Sequence, residues 1–262
     1  MSLDVDAVVK ALFAAGVERI TVKDFHRTAY NLLPMKIDKR ARLVSGYRMG
    51  PVPGVGNPED ADAVMMIGMH AASGTNGFLA HTLTSRLAEI ILNGRPLAEV
   101  ELFAASLGNC GLAPIFFSGC PVACAQARER IQGIQIYAID KQIPPSSIDV
   151  NAWREGLARS AAQSLSNTTV RPYQPQGPFH AEITIRDGPA AARKMAAPWG
   201  LKRCKDRVFI DSSGMDLLYD QLIRLCYLSP TVERALPASL LFYNLIGWLG
   251  QLWVRWETRR LL

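Results

Sequence analysis

The feature that most constrains the fold is an alternation of apolar and amphipathic segments between residues 99 and 140. EVELFAASLG and PVACAQARERI are spaced like helices, whereas APIFFSG and GIQIYAID are short apolar runs typical of buried strands. Strands that alternate with helices form β-α-β units, because a parallel strand pair needs a crossover connection. The sequence therefore predicts an α/β fold with an α/β/α sandwich core.

Two further strands are predicted upstream, and each is followed by a histidine. ERITVKD comes after a predicted helix, DVDAVVKALFAAG, and leads to His26 in KDFH. AVMMIGM leads in the same way to His70. Open α/β sheets bind ligands just beyond the carboxyl ends of their strands. We therefore expect His26 and His70 to lie at one edge of the sheet.

Two more candidate site residues follow along the chain. His81 comes after the small-residue loop that begins at His70. The dipeptide Asn93-Gly94 stands between apolar flanks and predicts a two-residue β-hairpin, because both residues tolerate positive φ. Glu99 comes just after this hairpin and is predicted to open a helix.

The clustering of these side chains predicts a zinc site. Imidazole nitrogens and a carboxylate are common ligands of catalytic zinc, so we take His26, His70 and Glu99 as metal ligands. His81 is then a general acid or base, or a further ligand. Asp24 either orients a histidine or caps the turn after its strand. The alternative for each side chain is an ordinary hydrogen bond to the backbone at a strand end.

Composition limits the function classes further. A chain of 262 residues with 49% hydrophobic content is long enough for one large α/β domain or a domain with an appendage. The net charge of +6 is spread along the sequence, which argues against nucleic-acid binding. The odd number of cysteines favours a reducing cytoplasm and packing roles over disulfides; they are Cys110, Cys120, Cys124, Cys204 and Cys226.

The residue pattern of the sequence changes twice and divides the chain into three predicted parts. Residues 1–143 form the α/β domain with the metal site, residues 144–228 a smaller α+β lobe, and residues 229–262 a hydrophobic helical tail. Three roles are open for this tail, which is rich in leucine and tryptophan: packing in the core or between subunits, contact with a membrane surface, or a membrane span.

The segment from about Val8 to Lys141 resembles the zinc-dependent D-aminopeptidases associated with dipeptide permeases. That family carries Asn-Asp-x-His followed by Asn-Leu, which here reads KDFHRTAYNL. It carries Gly-x-His-Ala and a small-residue loop that leads to a second histidine, here GMHAASGTNGFLAH. Its third motif is a strand, an asparagine-containing turn, Arg-Pro and a glutamate, here IILNGRPLAE. Order and spacing agree throughout.

The resemblance implies both a function and a set of residue roles. His26, His70 and Glu99 stand at the positions of family metal ligands, and His81 at that of the histidine that assists catalysis. The implied activity is the release of N-terminal D residues from short peptides with zinc. The implied architecture is an α/β domain with a smaller lobe, assembled as a ring-like homo-oligomer.

One family motif lacks a counterpart in its expected place. The family opens with a strand that ends in Asp-x-Glu-Gly, whereas here Asp4 and Asp6 adjoin the first predicted helix. We expect these two residues to be helix-starting acids, stabilised by the helix dipole, rather than metal ligands. The alternative function is therefore a non-catalytic relative that acts as an oligomeric or membrane-surface scaffold.

Overall fold

The computed structural model describes residues 1–58 and 60–260, except for the side chains of residues 145 and 258–260. The last two residues of the predicted tail lie outside this range. The helices are α1 (Ser2–Ala14), α2 (Glu99–Gly108), α3 (Pro121–Arg130), α4 (Val150–Gln163), α5 (Gly188–Ala196), α6 (Met215–Tyr227), α7 (Pro230–Arg234) and α8 (Leu236–Arg260). The strands are β1 (Thr21–Lys23), β2 (Arg42–Val44), β3 (Ala63–Met69), β4 (Leu87–Leu92), β5 (Arg95–Pro96), β6 (Ala113–Gly119), β7 (Gln135–Ala138), β8 (Phe179–Ile185), β9 (Lys202–Cys204) and β10 (Arg207–Ser212).

The folded chain divides into two compact units. Unit 1 contains Met1–Asp60, Asp149–Leu165 and Arg234–Leu262, and unit 2 contains Ala61–Ile148 and Ser166–Glu233. The three parts predicted from the sequence, residues 1–143, 144–228 and 229–262, stay a prediction.

Unit 2 contains the predicted β-α-β series. Strands β3, β6 and β7 form a parallel sheet in that order, with β6 in the centre. Helix α2 packs against β3 and β6, and α3 packs against β6 and β7. Phe116 and Phe117 on β6 are completely buried, as expected for a central strand covered by helices. The prediction of an α/β fold is confirmed.

A second sheet of unit 2 is antiparallel and has the order β5-β4-β8-β10-β9. Strands β4 and β5 form the predicted hairpin, and Leu92 pairs with Arg95 across its turn. Both turn residues have positive φ, 48° at Asn93 and 84° at Gly94, as this type of tight hairpin requires. The turn leads the chain directly into the segment before α2, and so positions Glu99.

Unit 1 is built on α1, α4 and a short parallel pair of β1 and β2. Asp4 lies in the first turn of α1, and its carboxylate is 2.9 Å from Nε of Arg154 on α4. Asp6 accepts a hydrogen bond of 2.8 Å from the backbone N–H of Asp38 and pairs with Lys10 at 2.7 Å. Both acids of the first segment therefore have structural partners within unit 1.

The tail forms α8, whose two faces differ. Its inner face carries Asn244, Gly247 and Gln251, and packs on loops of unit 1. We call the opposite side the outer face; its apolar side chains are exposed and repeat every three or four residues, namely Phe242, Ile246, Leu249, Trp253 and Trp256. In the part of the chain that the structure describes, no helix combines the length and hydropathy needed to cross a membrane.

Candidate metal centre

His70 directly follows β3, which is irregular near its end. The pairing of β3 with β6 shifts register between Met66 and Met69, and Gly68 within this bulge has a φ of 79°. The backbone N–H of Gly68 donates a hydrogen bond of 3.1 Å to Oγ of Ser118 instead of continuing the ladder. Bulges of this kind change the direction of the side chains that follow. The bulge therefore sets how His70 leaves the sheet.

The loop after His70 closes on itself and returns the chain to the same place. The backbone N–H of His81 donates a 3.0 Å hydrogen bond to the carbonyl oxygen of Ala71. Gly77 allows the close approach, because a Cβ atom at that position would lie 2.4 Å from Cβ of Ala71. As a result, the imidazole rings of His70 and His81 lie 4.3 Å apart between centroids. The structure thus brings together two of the predicted site residues.

Backbone carbonyl groups face one nitrogen of each imidazole ring. Nδ1 of His81 lies 2.7 Å from the carbonyl oxygen of Leu79, and Nδ1 of His70 lies 3.5 Å from that of Phe78. A carbonyl oxygen can only accept a hydrogen bond, so the short contact makes Nδ1 the protonated nitrogen of the neutral His81 ring. The lone pair is then on Nε2, the atom that can bind a metal or accept a proton.

Glu99 is the first residue of α2, and its residue surface is only 9% exposed. The backbone N–H of Leu83 donates a 2.8 Å hydrogen bond to Oε1 of this carboxylate. Burial raises the pKa of Glu99 above its ordinary value, while the Leu83 hydrogen bond and a charge on His81 oppose the rise. A buried carboxylate in this environment is stabilised by a nearby cation.

Glu101, in the first turn of α2, is a structural residue that was not predicted from the sequence. Its buried carboxylate is 2.6 Å from Nη1 of Arg95 and 3.4 Å from Nε of Arg130. It also accepts a 3.3 Å hydrogen bond from the backbone N–H of Ala98, directly before the helix. These contacts fix the first turn of α2, which carries Glu99. The available signal was a second acid in an apolar helix close to an Arg-Pro dipeptide.

Asp24 caps the turn after β1, one of the two roles considered for it. Its Oδ2 accepts hydrogen bonds from the backbone N–H groups of Asn31, at 2.5 Å, and Leu32, at 2.7 Å. The side chain of Asn31 in turn donates to the carbonyl oxygen of His26. The carboxylate of Asp24 therefore shapes the turn that presents His26, within unit 1.

The expectation that His26 and His70 end strands of the same sheet is wrong. Strand β1 pairs with β2, whereas β3 pairs with β6 in a separate sheet. The partner of β1 lies in the segment between the two histidines and is only three residues long, which is too short for an apolar pattern to predict it. His26 belongs to unit 1, and the other candidate site residues belong to unit 2.

No group of three or more histidine, cysteine, aspartate or glutamate side chains is arranged to hold a metal among residues 1–58 and 60–260. The roles of His26, His70 and Glu99 as ligands, and of His81 in catalysis, stay predictions. The predicted donors of unit 2 suit zinc in kind, because His70 offers an imidazole and Glu99 a buried carboxylate.

His81 also lines an open groove of about 500 Å³ in unit 2. Polar side chains of Thr75, Ser85 and Arg186 contribute to the wall, together with small residues of the loop. The Nε of Arg186 donates a 2.7 Å hydrogen bond to the carbonyl oxygen of Ser85, which anchors the guanidinium at the groove. The groove offers both a cation and a histidine to a small polar ligand.

The α/β fold of this chain has a counterpart among solved structures. A solved structure with the same fold is the Zn-dependent D-aminopeptidase DppA from Bacillus subtilis, a self-compartmentalizing protease. The two structures superpose with a TM-score of 0.75 over 86% of this chain and 84% of that chain, at 21% sequence identity.

The sequence comparison gives the family itself. The D-aminopeptidase family matches residues 1–220, and the chain belongs to this family. A curated relative, the D-aminopeptidase of Bacillus subtilis (strain 168), is 25% identical over 149 residues, which are 56% of this chain and 54% of the relative. The chain thus matches about half the length of that relative.

Proposed function

We propose that the protein is a zinc-dependent aminopeptidase that releases N-terminal residues from short peptides. The observation that carries this proposal is the pairing of His70 with His81, whose rings lie 4.3 Å apart. Two imidazoles in contact, each with Nδ1 facing a carbonyl oxygen, have little value for packing but suit metal binding and proton transfer. Membership of the D-aminopeptidase family supports the same conclusion.

In this proposal His26, His70 and Glu99 hold the metal, as the motifs predict. A bound zinc ion would supply a Lewis acid that polarises the peptide carbonyl and lowers the pKa of a water molecule. The imidazole of His70 and the carboxylate of Glu99 are ligand types that zinc prefers, and a bound cation would favour the ionised form of the buried Glu99. The turn capped by Asp24 presents His26.

His81 moves the proton. The carbonyl oxygen of Leu79 holds Nδ1–H in place, so Nε2 accepts a proton from the attacking water and delivers it to the departing amine. In this proposal the peptide lies in the open groove beside His81. Arg186 in its wall suits the free carboxylate of such a peptide.

The finer points of the proposal concern substrate, assembly and location. The relatives are D-aminopeptidases, so we propose N-terminal D residues as the preferred substrates. DppA is described as self-compartmentalizing, which supports a homo-oligomer for this chain as well. We propose a cytoplasmic location because free cysteines are typical of a reducing compartment. The exposed outer face of α8 favours a second candidate function, a non-catalytic scaffold that contacts other subunits or a membrane surface.

Hydrolysis of matched dipeptides tests the proposal. The purified protein is incubated with D-aminoacyl and L-aminoacyl dipeptides, before and after removal of metal with a chelator. We expect release of the N-terminal residue, faster for the D series, loss of activity after chelation and recovery on addition of zinc. An inactive protein that contains zinc would favour the scaffold.

A further inference from the structure

Helix α8 is joined to a loop of unit 1 by a pair of amide hydrogen bonds. Oδ1 of Asn244 accepts a 2.9 Å hydrogen bond from the backbone N–H of Tyr47, and Nδ2 of Asn244 donates one of 2.9 Å to the carbonyl oxygen of the same residue. Gly46 is part of this contact, because a Cβ there would lie 2.7 Å from Oδ1 of Asn244. Asn244 therefore binds both the backbone N–H and the backbone carbonyl group of Tyr47.

Gln251 makes a second attachment on the same face of α8. Its residue surface is 6% exposed, and its Nε2 donates hydrogen bonds of 2.7 Å to the carbonyl oxygen of Leu32 and 3.2 Å to that of Tyr30. Gly247 lies between the two amides and contacts the same segment, since a Cβ there would be 2.5 Å from the ring of Tyr30. The inner face of α8 is therefore fitted to residues 27–47.

This segment needs such support, because its backbone is unfavourable directly after His26. Arg27 has a φ of 51° and Ala29 a φ of 58°, in the left-handed region that residues other than glycine rarely adopt. The carbonyl oxygen of Arg27 accepts hydrogen bonds from the hydroxyl groups of Tyr47, at 2.6 Å, and Tyr243 on α8, at 3.3 Å. Backbone of this kind persists only where its surroundings hold it, and it is concentrated at functional sites.

We propose that α8 is a clamp for the segment that carries His26, and that Asn244 and Gln251 are positioning residues for metal binding. The metal-binding part rests on the proposed function, because it takes His26 as a ligand. The contacts run from Asn244 to Tyr47 and from Tyr47 to Arg27, which directly follows His26. Gln251 holds the other end of the turn at Leu32, whose N–H is bonded to Asp24.

The test compares two variants of the clamp with two controls. Asn244→Leu and Gln251→Leu remove the amides at similar volume. Arg154→Ala is the stability control, because it breaks the Arg154–Asp4 ion pair elsewhere in unit 1. Leu249→Ala is the control for a change on the outer face of the same helix. Zinc affinity is measured by chelator competition, backbone order by amide hydrogen exchange over residues 27–47, and stability by thermal unfolding.

We expect both amide variants to bind zinc at least tenfold more weakly, as is usual when a residue that orients a ligand is removed. Amide exchange over residues 27–47 should become faster in both, while the two controls match the parent protein in affinity and exchange. If the two amide variants bind zinc as tightly as Arg154→Ala does, the positioning role is overturned. If the parent protein binds no zinc, the proposed function is wrong. If amide exchange at Tyr47 is unchanged in Asn244→Leu, the clamp itself is wrong.

Discussion

Ser73 and Thr82 exchange hydrogen bonds across the loop between the two paired histidines. The backbone N–H of Thr82 donates to Oγ of Ser73 at 2.8 Å, and the backbone N–H of Ser73 donates to Oγ1 of Thr82 at 3.2 Å. Both side chains are buried, so each hydroxyl satisfies a backbone group that water does not reach. The pair closes the loop and thereby places His81 beside His70.

Replacement of Thr82 by valine should open this loop. The change removes the acceptor for Ser73 N–H and the hydroxyl that donates 2.8 Å to the carbonyl oxygen of Leu97. Buried groups left without partners cost about 1–3 kcal/mol each, so we expect a loss of that order in the free energy of unfolding. Urea unfolding measures it. Thr82→Ser keeps the hydroxyl and loses one buried methyl group, so it should cost only about 1 kcal/mol. Equal losses in both variants would contradict the role of the hydroxyl.

Glu101 should contribute far more to stability than Glu129, although both carboxylates pair with Arg130. Glu101→Leu leaves Arg95 and Arg130 without their buried counter-charge, and breaking such a pair costs about 3–5 kcal/mol. Glu129 is 64% exposed, so Glu129→Leu should change the free energy of unfolding by less than about 1 kcal/mol. Thermal unfolding of both variants makes the comparison. Similar shifts for the two would refute the structural role of Glu101.

His81→Gln should separate catalysis from metal binding. Loss of a general acid or base lowers the rate by about 10²–10⁴-fold, and we expect kcat to fall within that range. The zinc content should equal that of the parent, because His81 is assigned to proton transfer rather than to the metal. Elemental analysis and dipeptide hydrolysis on the same sample measure both quantities. A variant that loses its zinc would instead make His81 a ligand.

Lys23, at the end of β1, should make stability depend on alkaline pH. Burial lowers the pKa of its ammonium group from 10.5 to about 8, and the charge of Arg48 acts in the same direction. Between these two values the unfolded chain keeps a proton that the folded chain has lost, so stability should rise with pH from about 8 to about 10.5. Urea unfolding of the parent and Lys23→Met across this range isolates the effect. The rise should be smaller in the variant, and equal slopes would contradict the assignment.

The sequence was sufficient for elements defined by continuous local patterns. Strand β3, helix α2 and strand β6 have the bounds that their apolar runs predict, and the Asn93-Gly94 turn has the predicted backbone. These features depend on neighbouring residues and on the backbone freedom of glycine and asparagine. The clustering of His70 and His81 was also predictable, because only a short loop separates them.

Features that depend on distant partners were not predictable from one sequence. The partner of β1 is a strand of three residues, too short to be recognised from periodicity. The buried position of Glu101 becomes understandable only with Arg130 from α3 in place. The fit of Asn244 to Tyr47 joins positions 197 residues apart. In each case the folded chain supplies the second group, and local propensity carries no information about it.

In the proposed function, His70 and Glu99 belong to one zinc site. The most direct test is the zinc content per chain, measured by elemental analysis after purification without chelators, for the parent, His70→Ala and Glu99→Gln. We expect zinc near or above one equivalent per chain in the parent and a large loss in both variants, with thermal unfolding showing that each variant is folded. A parent that binds no zinc even after zinc is added, or folded variants that retain it fully, would contradict the claim.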